Sequence, residues 1–279
     1  MALTTSAATD MVGWNFVVGT WSQFGNGHQI MSVWVNPSTF TAGRFLCMNV
    51  SLSGTSELKI ESAQFTTNDT WTTSGAGLAV GKWSYICIIR NGVTSGAQDM
   101  RCWVGDANTP PVLLSTSFTA GSGGLVSSTI YFVGNTNNTG SSSAPAGNLA
   151  FQGTTDGWYF LGDTIAPAVT GAANDGMGSE WGVASAFTAN DEKFFLDRFV
   201  TPLWRGENPV MNKTITPTTT VARFYFETMD TAGYLNGARR GSGASTLAGG
   251  APTLTGITAA IDRCPRPMVN IDALPYRRR

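Results

Sequence analysis

QIMSVWVNPSTFTAGRFLCMNVS, residues 29–51, is an apolar run, an Asn-Pro break, a Thr/Gly stretch and a second apolar run. On a strand, successive side chains point to opposite sides. Ile30, Ser32 and Trp34 therefore share one face, and Met31, Val33 and Val35 share the other. Both faces are largely apolar, so the run expects cover on both sides. Asn36-Pro37 ends it, because proline cannot donate to a ladder and the pair favours a turn. A strand of this kind belongs inside a layered β structure.

The composition agrees. Charged residues make up 13% of the 279, against about 25% in ordinary soluble domains. The 33 glycines and 12 prolines, with abundant Ser, Thr and Asn, suit many short strands joined by tight turns. One large β domain accommodates this length. No apolar run reaches the roughly 18 residues of a membrane helix, and the start lacks a basic region followed by an apolar one. The expectation is a chain assembled in a cytoplasm, with no membrane partner. Cys47, Cys87, Cys102 and Cys264 form no C-x-x-C pair and read as free buried thiols.

Net charge is −1, but residues 1–222 carry −5 and residues 223–279 carry +4. The basic end closes on Arg277, Arg278 and Arg279 after Pro265, Pro267 and Pro275. Such a tail is either a solvated end or an arm that docks on an acidic neighbour through guanidinium–carboxylate pairs. The expectation is docking, with the prolines keeping the tail out of any sheet. Basic residues too few and too confined for a nucleic-acid footprint exclude that partner.

Strand-like runs fall at 12–18, 29–36, 44–52, 57–65, 83–90, 100–104, 111–118, 129–134, 148–152, 157–161 and 221–228. Asn91-Gly92 opens a hairpin loop between two of them. One segment, FTANDEKFFLDRFVTPLW, reads as helix: Thr188 with Asp191 resembles a capping box, and Phe195, Leu196, Phe199 and Val200 follow at helical spacing. Pro202 is expected to stop it.

The order of these pieces resembles the concanavalin A-like, laminin-G-type jelly rolls. IMSVWVNPSTFTAGRFLCMNV looks like their tryptophan strand leaving through a proline turn, and LAVGKWSYICIIRNG like their Gly-Lys-Trp entry into a central strand. MRCWVGD, STIYFVGN and GNLAFQGTTDGWYFLGD stand where that family has its next strands, the last departing from it by an acidic residue displaced to Asp156. The resemblance implies an all-β, two-sheet antiparallel jelly-roll sandwich with one short helix over 28–205. An N-terminal strand or arm, 1–27, would precede it. A closing strand and Arg-rich tail, 206–279, would follow. The Gly/Ser/Thr-rich style and the end ARFYFETMDTAGYLNGARRGSGASTLAGGAPTLTG also resemble tailed-bacteriophage virion proteins.

Candidate chemistry is sparse. Glu57 and Glu61 are a close carboxylate pair, but four residues of strand separate them by about 13 Å. Glycosidases need about 5–5.5 Å or 6.5–9.5 Å, so a solvated Glu-Lys-Glu face is expected. His28 is the sole histidine and reads as a turn or edge residue. Asp106 with Asn108, and Asn135 with Asn137 and Asn138, offer oxygens of the kind calcium takes, without the carboxylate density of a tight site; no cofactor is expected. Trp34, Trp83 and Trp103 lie within strand patterns and read as core. Trp71, Trp158 and Trp181 sit in polar or Gly-rich settings, as contacts for a glycan or a neighbouring subunit, or as packing under loops.

The sequence thus points to a non-enzymatic structural protein on a phage virion surface, a capsid decoration or a tail or fibre component. Its partners would be other virion proteins and copies of itself. The alternative is a lectin-like module that attaches to a host or environmental glycan. An exposed aromatic platform would favour the second, and an apolar subunit interface the first.

Overall fold

The structure is a computed structural model, and it describes residues 2–5, 11–15, 29–39, 43–45, 50–53, 57–61, 70–73, 75–90, 100–119, 129–133, 152–163, 189–207, 221–226, 228–229, 235–236, 253–255, 258–260 and 264–267. Strands dominate. In chain order they begin with β1 (Ala2–Thr5), β2 (Met11–Asn15), β3 (Gln29–Pro37), β4 (Gly43–Phe45), β5 (Val50–Ser53) and β6 (Glu57–Glu61). They continue through β7 (Thr70–Thr73), β8 (Ser84–Arg90), β9 (Met100–Gly105), β10 (Val112–Leu113), β11 (Thr116–Thr119), β12 (Thr129–Val133) and β13 (Gly153–Asp163). A helical segment follows, and then β14 (Val221–Phe226), β15 (Thr228–Met229), β16 (Leu235–Asn236), β17 (Thr253–Thr255) and β18 (Thr258–Ala260).

One antiparallel sheet runs β10-β9-β8-β3-β13-β1-β18. The outer edge of β13 is shared: its first half pairs with β1 and its second half with β14. A second sheet runs β11-β7-β6-β5-β4-β12-β2-β17. The two ends of the chain travel together, β18 beside β1 in the first sheet and β17 beside β2 in the second. Residues 221–260 thereby add strands to both sheets.

The stretch that opens the sequence argument is the centre of the first sheet. β3 pairs with β8 on one side and β13 on the other. Ile30, Ser32 and Trp34 are fully buried on one face, and Met31, Val33 and Val35 on the other. The two-faced cover expected from the alternation is present. Register carries each face across the sheet: Trp34 lies opposite Tyr85, and Ser32 opposite Cys87, which lies opposite Trp103.

The helical segment covers the Trp34 face. It consists of α1 (Ala189–Phe195), a π-helical turn (Leu196–Val200) and α2 (Thr201–Arg205). Phe195, Phe199, Val200, Leu203 and Trp204 join Ile30, Trp34, Tyr85, Trp103 and Tyr159 in one core. The Phe195, Phe199 and Val200 spacing is the one seen in the sequence. Pro202, however, does not stop the helix. It falls in the first turn of α2, where a missing N–H is tolerated because that donor lies outside the regular ladder. The preceding π turn, whose wider loop closes through the Thr201 N–H to the Leu196 carbonyl, makes this junction. The stop comes at Gly206, in the left-handed conformation (φ 79°).

Three polar tethers fix the segment to the sheet along its length. Arg101 Nε donates to Glu192 (2.5 Å), the Tyr85 hydroxyl to the Val200 carbonyl (3.2 Å), and Trp204 Nε1 to the Asp106 carbonyl (2.8 Å). Packing carries more of the stability than these bonds, worth about 0.5–1.5 kcal/mol net for the neutral ones and about 1.5–3 for the Arg101–Glu192 pair. Removing a buried aromatic of this size costs about 3–5 kcal/mol. Trp34→Ala should lower the urea unfolding free energy by about that amount. Val112→Ala, at a residue 58% exposed, should change it by less than about 0.5 kcal/mol. Equal effects for the two would contradict this assignment of the core.

Candidate functional site

A group of polar and titratable side chains follows one row across the first sheet. Asp156 on β13 lies opposite Trp34, Trp34 opposite Tyr85, and Tyr85 opposite Gly105, with Asp106 next along the chain. The end of the helical segment spans this row, from Trp204 above Asp106 to Gly206 beside Arg266.

At one end, Asp106 caps a turn. Its Oδ1 accepts from the backbone N–H groups of Asn108 and Thr109 (both 2.7 Å), and its Oδ2 from the Thr109 hydroxyl (3.2 Å). The Asn108 amide, then that of Thr109, its hydroxyl and the nearby Lys82 charge hold the carboxyl below its ordinary 3.8, against a desolvation cost. The Asp106/Asn108 pair weighed for calcium is therefore engaged as a turn. Trp83, half-buried, packs against the core next in sequence to exposed Lys82.

At the other end β13 bulges. Between Asp156 and Tyr159 it takes three steps while β3 takes two, and Gly157 turns at φ 61°. Such a bulge with a left-handed glycine re-aims the preceding side chain. Asp156, only 2% exposed, receives the Gly157 N–H on Oδ1 (2.9 Å) and the Cys264 N–H on Oδ2 (3.2 Å). Cys264 is itself buried in the core. Burial first, then the Asp156 charge, pushes its thiol up to about 12, partly offset by Arg266. That thiol is protonated at neutral pH and is not a nucleophile. Cys87 and Cys102, also free and fully buried, are pushed up by burial as well.

Cys264–Pro267 packs against the body, with Cys264 in the core, and its prolines lie outside the described strands. Arg277, Arg278 and Arg279 lie outside the described residues, as do Trp181, His28, Asn135, Asn137, Asn138 and Cys47. Trp71 sits on β7, between Ile60 and Phe118 in register, in the second sheet. Trp158 sits at the β13 bulge opposite Phe226, in the first. Glu57 and Glu61 occupy the two ends of β6, whose register with β5 and β7 is unbroken. Among the described residues, no group of three or more His, Cys, Asp or Glu is placed to hold a metal. No helix there is long and apolar enough to cross a membrane.

The sequence reading missed the Cys264–Asp156 contact, 108 residues apart. The displaced acid at Asp156 was its only trace. In the row, Asp106 and Asp156 accept from backbone N–H groups.

No protein-family model and no curated protein matches the chain. A solved structure, a "putative carbohydrate binding protein" from Bacteroides ovatus, aligns with it at TM-score 0.39 and 11% identity. The match covers 92% of this chain and 59% of that one, and likeness at this level carries no argument about function.

The Asp106 turn gives a pH test. Its folded-state pKa is lowered, so its contribution is fully present above the unfolded value, near 3.8, and is lost as pH falls through the folded value. Wild type should therefore exceed Asp106→Ala in urea midpoint at neutral pH, and the gap should narrow as pH falls below the unfolded value. A gap that widens on acidification would contradict the capping role.

Proposed function

We propose that the chain is a non-catalytic β scaffold of an assembled particle, a structural protein of the phage-virion kind its motifs resemble, folded as a jelly roll. The observation behind the non-catalytic part is the commitment of the central row. Its acids meet backbone N–H groups, and its buried thiol is held protonated. The long two-faced sheet, braced by a helical segment on one side, supports a role in which rigid shape is what is delivered. Copies would associate through closed, repeated contacts. The low charge density supports that too, since few like charges keep the copies apart.

A glycan-binding reading is favoured by one feature, half-buried Trp83 next in sequence to exposed Lys82, whose charge acts on Asp106. An aromatic ring with polar neighbours is the usual chemistry for holding a small polar ligand. The two readings separate experimentally. Antibody against the chain should decorate purified virions in negative stain, and light scattering should give a dimer or larger species. An unlabelled particle and a monomer retained by a glycan column, with retention lost in Trp83→Ala, would overturn the structural reading in favour of the lectin.

A further inference from the structure

We propose that the bulge of β13 seats buried water, held by Trp34 Nε1 and Ser32 Oγ beneath the helical segment.

Two unmet atoms point to it. Ser32 and Trp34 are both at 0% exposure. Among the described residues, neither the Ser32 hydroxyl nor the Trp34 indole N–H has a hydrogen-bond partner. A buried donor or acceptor left unmet loses its hydration and gains nothing in exchange. Folded chains avoid this by meeting such groups with protein atoms or with ordered water. Nearby polar groups are met: the Tyr85 hydroxyl bonds the Val200 carbonyl, and Asp156 receives the Gly157 and Cys264 N–H groups.

The place of the two atoms in the ladder is the second observation. Asp156 pairs with Trp34 and Tyr159 with Ser32, so Gly157 and Trp158 stand against Val33 alone. The two unmet side chains are those that bracket the break in register. Alternation puts both on the face that the helical segment covers, and Val33 on the other. The indole is also turned toward the bulge. A Cβ added at Gly157 would lie 3.2 Å from Trp34 Cδ1, the ring carbon bonded to Nε1. Gly157, left-handed at φ 61°, carries no side chain to fill that side. A bulge takes backbone groups out of the ladder as well. These supply the further partners a buried water takes, about three in all.

Size and charge select the occupant. Both atoms lie at zero exposure under a packed cover, so the smallest polar molecule is the one that fits. The bulge holds the Asp156 carboxyl, and the point beside Gly157 lies 3.4 Å from Arg266 Nη2. The carboxylate opposes an anion there and the guanidinium opposes a cation. Water is neutral, accepts from the indole N–H, and donates to or accepts from the serine hydroxyl.

A crystal structure of the full-length chain, at a resolution that places waters, tests this directly. Water should lie within about 3.2 Å of Trp34 Nε1 and of Ser32 Oγ, one molecule shared or two linked. Either atom found bare, or bonded to a protein group instead, would overturn the proposal. Stability gives an independent sign. Ser32→Ala takes a partner from the water, so the urea midpoint should fall; deleting an unmet hydroxyl would raise it. A midpoint equal to or above that of the unmodified chain would also overturn it.

Discussion

Asp156 is a carboxylate at 2% exposure in a sheet packed on both faces. Taking such a group from water costs several kcal/mol unless its oxygens are met by donors. A regular β13 would have its N–H groups committed to the ladder. The bulge frees one, from Gly157, and a second backbone donor comes from the far end of the described chain, at Cys264. The left-handed glycine lets β13 kink, and the Arg266 side chain, two residues past Cys264, lies against Gly206 at the end of the helical segment.

Several polar side chains of the described residues have structural partners: Asp106, Tyr85, Asp156, Arg101 and Glu192 each bond a turn, a bulge or the helical segment. The helical segment is fixed at its start, middle and end, so it braces the sheet as a rigid cover rather than a hinged lid. A body built this way is suited to bearing contacts between copies, which is the role proposed for it.

How much was legible beforehand depended on the range of the cause. β3 was fully readable, because alternation over seven residues is a local signal that two-sided burial writes directly into sequence. The helical segment was readable from Phe195, Phe199 and Val200, but its end was misplaced. Proline's effect depends on whether its N–H is needed, and the π turn before Pro202 removed that need. β13, Gly153–Asp163, was read only over 157–161, because Gly157 at the bulge interrupts the pattern while the ladder continues across it. β7, β16, β17 and β18 were missed; strands of two to four residues carry little periodicity, and pairing with their partners creates them. Of the candidate site, Trp34 was assigned to the core correctly and Trp83 was placed too deep. The Cys264 contact had no local signature at all, since it is fixed by a buried charge 108 residues away.

The backbone N–H groups of Gly157 and Cys264 hold the Asp156 carboxyl at the bulge. Amide hydrogen exchange, read by NMR on the native full-length chain, measures them directly. The Gly157 and Cys264 amides should each be protected at least about a hundredfold over unstructured chain, although neither bonds to a neighbouring strand, and both should lose that protection together in Asp156→Ala. A Cys264 amide that exchanges at the unstructured rate in the wild-type chain would contradict it.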